Sequence, residues 1–370
     1  MTKTNNDNHN NYNILDEPVA EFFQWKYGKF RIPRDEAEAG YCIRGVVHAV
    51  QQRMLLGVWG PVEVSCEEIM KNNDKIYHGI LIRREDQYVI PTIYVEDCLK
   101  GLTYNDKMEE VADRIISMYA DGLKVAPKLN TDFSYGDEGY QDLLEVRLID
   151  RKLNAKRCDS LLTMPLDAEF AYIIYLVIAE DEHGTMGAAL TREIAEELVS
   201  HDGLEYSDLF DIAIENSMRR HWPIMADIHQ IVDTRAILGN WIEKCGEEIP
   251  NLLGDMELCD NECTYVGNRV DISQDERYMF LLTNDTGSMG SAVLFYPGIQ
   301  DAIHKVLNCN YYVLPSSVHD VLIVPDTEAI NERALMLMVS ESNNSVVEGN
   351  EILSNRVYKY TPATGLEVCA

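Results

Sequence analysis

The chain has 370 residues, 46% of them hydrophobic and 25% charged, a globular composition with length for two or three domains. Its formal net charge of −30 argues against nucleic acid and anionic membranes as ligands, because an acidic surface repels both. The most hydrophobic run, residues 170–179, is shorter than the ~20 residues that span a bilayer, and no apolar leader follows Met1, so a soluble cytoplasmic protein is expected.

Residues 1–15 are Asn-rich with little apolar content, which predicts a disordered tail. From Asp35 to Val58, Ile43, Val46, Val47, Val50, Met54 and Leu55 recur at three- and four-residue steps, predicting a helix. Two strand-like runs then flank Asn72, Asn73 and Asp74, residues that tolerate turn backbone, so a hairpin follows. "YVIPTIYV" reads as a third strand, with Pro91 marking an edge. Next comes a helix with Met108, Val111, Ala112, Ile115 and Tyr119 on one face, capped by Asn105 and ended by Gly122. Residues 16–125 thus form an α-β-β-β-α module, and a polar connector separates it from the rest.

A middle β-β-α module is expected over 140–220, and residues 221–265 read as a helical connector. The C-terminal module, 266–370, is read as ββαββα, with strands at "YMFLLTN" and "SAVLFYP". Residues 181–189, "DEHGTMGAA", match 284–292, "NDTGSMGSA", which suggests a repeated β-β-α unit. The fold class is therefore α+β: antiparallel sheets built from hairpins, with helices packed on one face.

Three segments together carry a resemblance. They are "KNNDKIYHGILIR…VIPTIYVED", "LTREIAEELVSHDGLEYSDLFDIAIENS" and "VLPSSVHDVLIVPD…ILSNRVYKYTPATGLE". The chain after about residue 36 resembles a family of uncharacterised proteins from anaerobic Gram-positive bacteria, a domain of unknown function. The resemblance implies one bacterial α+β architecture with Pro315-Ser316-Ser317-x-His319-acid as a hallmark; the family usually has Glu where this chain has Asp320. It implies no activity, cofactor or catalytic residue.

Ser316, Ser317, His319 and Asp320 offer the parts of a hydrolase site. On an extended chain Ser317 and His319 share one face and Asp320 lies on the other, so Asp320 is poorly placed to orient the imidazole. The competing reading makes them turn residues that bond the backbone between two core strands. Thr286-Gly287-Ser288-Met289-Gly290 nearly matches a nucleophile elbow, but it lies between two expected strands and not between strand and helix.

Cys259 and Cys263, with Cys245 upstream, are weak metal candidates, since structural zinc wants two close pairs. The nine cysteines are scattered and odd in number, as free thiols of a reducing compartment are. His221 and His229 lack the H-E-x-x-H spacing, and His48 reads as a satisfied helix residue. No phosphate-cradling glycine motif occurs, and no cofactor is expected. The leading expectation is a non-enzymatic regulatory module whose acidic surface binds a basic protein. The alternatives are a serine hydrolase using Ser317 and His319, and a small-ligand sensor.

Overall fold

A computed structural model of the protein describes residues 36–57, 61–84, 90–99, 108–125, 139–181, 184–233, 251–259, 262–315 and 317–369. The expected tail at 1–15 and residues 16–35 lie outside these, as do Asn105, Cys245 and Ser316. The chain divides into two compact units, one of residues 1–71 with 76–133 and one of residues 72–75 with 134–370.

In the first unit, helix α1 (Glu36–Leu56) precedes strands β1 (Glu63–Met70), β2 (Ile76–Arg83) and β3 (Thr92–Tyr94), paired antiparallel in that order. Helices α2 (Val95–Leu99) and α3 (Met108–Val125) follow. The helical stripe read from sequence is the core: Val46, Val50 and Met54 of α1 and Val111, Ile115 and Tyr119 of α3 are fully buried. They cover Val64, Cys66, Ile80 and Ile82, which cross-strand register places on one sheet face. The buried Gln51 amide accepts from Val64 N at 2.9 Å and donates to Val62 O at 3.0 Å, tying α1 to the start of β1. Gly122 does not end α3, contrary to expectation. A Cβ there would stand 3.2 Å from Pro91 Cβ, so this glycine permits a close crossing, not a stop.

The cysteines Cys66, Cys98, Cys158, Cys309 and Cys369 are free thiols. Burial, then neighbouring carboxylates, pushes Cys66 up to about 12, so it is an inert core residue at neutral pH.

The second unit holds two principal antiparallel sheets. One comprises β4 (Leu144–Asp150), β5 (Thr163–Pro165), β6 (Phe170–Asp181) and β7 (Gly184–Ala189). β6 is its centre and pairs with each of the others. Helix α4 (Ala155–Ser160) interrupts this run, and helices α5 (Arg192–Asp202) and α6 (Tyr206–Arg220) follow it. Thr191 caps α5, Gly203 ends it in left-handed backbone, and a Glu205–Asp208 capping box starts α6.

Next come β8 (Pro223–Asp227), α7 (Ile228–Asp233) and a small hairpin of β9 (Met256–Cys259) and β10 (Glu262–Tyr265). The other large sheet adds β11 (Phe280–Asn284), β12 (Tyr311–Leu314), β13 (Val321–Pro325), β14 (Tyr358–Thr361) and β15 (Gly365–Val368), in the order β15-β14-β12-β13-β11-β8. Helices α8 (Ile299–Leu307) and α9 (Glu332–Ser345) complete the unit.

Alternation along the strands explains the packing. Val146 and Leu148, Tyr172 and Ile174 from the first sheet share one core with Phe280 and Leu282, Val313, Ile323 and Tyr358 from the second. The Phe170 and Tyr358 rings lie 4.7 Å apart within it, and the buried Tyr172 hydroxyl donates to Ala292 O at 2.7 Å. On the outer faces, Ile149, Ala171 and Ile173 pack with Leu161, and Tyr312, Leu314 and Val324 pack with Leu335 and Val339 of α9.

The α+β class with antiparallel sheets is as the sequence implies. Two local expectations need correction. Residues 221–265 are not a helical connector throughout, because β8 and the β9–β10 hairpin lie there. β8 is short and opens on Pro223, and it sits at a sheet edge, where a missing donor is tolerated. Residues Gly290–Phe295 form a 3₁₀ helix where "SAVLFYP" predicts a strand. The second of the two similar stretches therefore departs from the β-β-α pattern of the first. Met289 is left-handed, and Ser291 gives both its amide and its hydroxyl to Val318 O, so the chain is drawn into a turn.

Candidate functional site

Two adjoining features of the second unit gather polar side chains. The first is the connection between β12 and β13. Ser317 N donates to Asp320 O at 3.2 Å, and Ser317 Oγ accepts from His319 N at 3.0 Å, a local turn built by a hydroxyl. The same hydroxyl donates to Asp320 Oδ2 at 3.4 Å.

The His319 ring faces elsewhere. Its Nδ1 accepts from Met289 N at 3.2 Å, and its Nε2 lies 3.7 Å from Glu351 Oε1. An accepting Nδ1 places the ring proton on Nε2, toward that carboxylate. The backbone is pinned as well: Thr283 Oγ1 donates to His319 O at 2.8 Å, and Val318 N donates to Glu351 O at 2.8 Å. The Ser317 hydroxyl thus meets the His319 amide and Asp320, while the His319 ring meets Met289 N. Replacing His319 with alanine removes the acceptor of the Met289 amide. Urea unfolding of His319→Ala should show a loss of about 1–2 kcal/mol; an unchanged midpoint would remove this hydrogen bond from the account.

The second feature is a small cleft, with about 20 Å³ of free space, between the edge of β4, the end of α6 and the 284–292 segment. Its polar lining includes Glu145, His221, Asn284 and Ser288. Ser288 and Met289 come from the near-elbow stretch, so the turn that holds His319 is also a wall of this cleft.

Beneath the lining lies a buried charged array. His221 and Glu145 are each 7% exposed. His221 Nε2 stands 3.4 Å from Glu145 Oε2, and its Nδ1 stands 3.9 Å from Asp285 Oδ1. Arg220 Nη1 donates to Glu145 Oε1 at 2.9 Å. Burial pushes the Glu145 carboxyl up, but hydrogen bonds from His221 and Arg220 outweigh it and hold the group below its ordinary value.

The Tyr296 phenol is pushed far up, by burial first and then by the Glu145 charge, so it acts as a donor. Ser217 Oγ donates to Ala213 O at 2.8 Å and accepts from Val146 N at 2.9 Å, beside the Tyr296 phenol. Together these groups offer hydrogen-bond donors and acceptors to a small polar molecule.

The sequence reading passed over Glu145, Arg220 and Asp285. The available signal was a Glu and an Arg alternating within the otherwise apolar strand "LLEVRLI". Of the metal candidates, Cys259 and Cys263 lie on the β9–β10 hairpin, opposite Glu262 and Leu258. Among the described residues no group of three or more His, Cys, Asp or Glu is arranged to hold a metal. His229 is exposed and His48 half-buried.

Fold and site define an α+β protein whose second unit carries a polar cleft beside a serine- and histidine-clamped turn. Residues 43–362 match the profile of a family of unknown function, DUF5688, and the chain belongs to that family. No curated protein and no solved structure matches it. Among the described residues no helix is long and apolar enough to cross a membrane.

Proposed function

We propose that the protein is a non-enzymatic regulatory module of the bacterial cytoplasm that binds a basic protein partner. The observation that carries this reading is the α5–α6 surface. Glu193, Glu196, Glu197, Asp211 and Glu215 are exposed there, and no Lys or Arg occurs between Arg192 and Arg219. Such a single-sign face steers an oppositely charged partner and raises its association rate. The clamping roles of Ser317 and His319 add support, since the hydroxyl bonds the backbone amide of His319 while the ring holds Met289.

The test is capture of a partner from the native lysate at low salt, followed by reconstitution of the purified pair. Reversing Glu193, Glu196 and Glu197 to lysine should weaken the reconstituted complex by tenfold or more, on the order of 1.4 kcal/mol, chiefly through slower association. Equal affinity after reversal would overturn the assignment of this face. A small-ligand sensor is the second reading, favoured by the cleft between Glu145 and Ser288. A thermal-shift screen checks it through ligand-dependent stabilisation.

A further inference from the structure

Against the net charge of −30, the outer face of the four-stranded sheet gathers guanidinium groups. Arg147 of β4 and Tyr175 of β6 point outward, because they alternate with the inward Val146 and Ile174. The Tyr175 ring is held down on β7: its hydroxyl donates to Gly187 O at 2.7 Å. A Cβ on Gly187 would stand 2.7 Å from the ring's Cε1 and 2.1 Å from Leu176 O, so only glycine leaves room for this platform. The Arg147 guanidinium carbon lies 3.3 Å from the ring centre.

Helix α4 packs Cys158 against the same face and carries the half-buried Arg157. Arg192 donates from Nη2 to Cys158 O at 3.2 Å, which brings a third guanidinium to this helix. Burial first, and then the charge of Arg147, pushes the Arg157 guanidinium below its ordinary value, so the two cations feel each other. The carboxylate facing Arg157 is Asp74, whose two oxygens accept from the amides of Arg157 and Lys156, each at 2.9 Å.

We infer that Arg147, Arg157 and Arg192, set around the Tyr175 platform, form a binding site for the phosphate group of a small phosphorylated ligand. Like charges held together repel, and a bound dianion converts that repulsion into attraction. Guanidinium forks match phosphate oxygens, and three forks suit the three oxygens of a phosphate better than the two of a carboxylate. Stacking on tyrosine and the Cys158 bond orient two of the forks in advance, which lowers the ordering cost of binding. The site is independent of the acidic α5–α6 face, so it stands or falls apart from partner binding.

The experiment is calorimetric titration of the full chain with inorganic pyrophosphate at constant ionic strength. One saturable site is expected. Arg157→Gln and the surface change Arg192→Gln should each weaken binding about tenfold, and Arg157→Lys should be intermediate. Arg219→Gln, on the α6 surface, should bind as the parent does. Absence of saturable binding would overturn the proposal. So would unchanged affinity in Arg192→Gln together with unchanged affinity in a folded Arg157→Gln, folding being judged by the thermal midpoint.

Discussion

Gly290→Ala should destabilise the protein by about 3 kcal/mol, the upper range for overpacking a tight site. A Cβ at this position would lie 2.2 Å from Thr283 Oγ1, 2.6 Å from Asn284 N and 2.7 Å from His319 O. Two of those atoms are backbone, and the third already donates to His319 O, so none can yield cheaply. The strain would fall on the contact between the 284–291 turn and the 317–320 turn. Gly203→Ala is the control. Gly203 has a φ of +69° and open space around its Cβ position, so only left-handed backbone strain opposes the methyl, about 1–2 kcal/mol. Urea unfolding of both variants decides the matter. Equal costs would mean that the crossing at Gly290 is looser than its geometry implies.

The second large effect concerns the buried array. Glu145→Gln keeps the shape of the side chain but leaves His221 and Arg220 without their carboxylate. Breaking one side of a buried ion pair costs about 3–5 kcal/mol. The pH dependence has a fixed sign. The folded carboxyl lies below its unfolded value of about 4.3, so its contribution is complete above that value and is lost as pH falls through the folded one. Urea midpoints measured from pH 7 down to pH 3 should fall steeply for the parent below about pH 4, with a shallower acid limb for Glu145→Gln. Parallel acid limbs would show that other carboxylates govern acid unfolding.

Local periodicity made much of this fold legible. The stripe of Val46, Val50 and Met54, the turn at Asn72–Asp74 and the strands around 311–325 each depend on neighbours in sequence, and each forms as read. What stayed hidden depends on remote approach. "SAVLFYP" has strand-like composition, but Val318 O captures Ser291 and turns the segment into a 3₁₀ helix. β8 is five residues long and begins with proline, and its pairing with β11 creates it as a strand. The cleft was invisible for the same reason: Glu145, His221 and Asp285 come from three separate elements and look ordinary alone. For Ser317 and His319 the sequence offered two readings, a hydrolase pair and a backbone-bonding turn. Closeness in sequence suggested a joint task, while the turn sends the hydroxyl to a backbone amide and the ring to Met289.

The two sheets of the second unit line the same core, and this has a consequence for how that part of the chain can be divided. Each sheet keeps a small apolar cluster on its outer face, but the main core draws side chains from both. Cut between α6 and β11, the chain would yield two fragments, each with part of its core uncovered: Tyr172 and Ile174 on one, Phe280, Val313 and Tyr358 on the other. Leu198 of α5, Leu209 of α6 and Ile303 of α8 pack into the same core, and across it Phe170 of one sheet meets Tyr358 of the other. The described residues of the second unit are therefore expected to fold together.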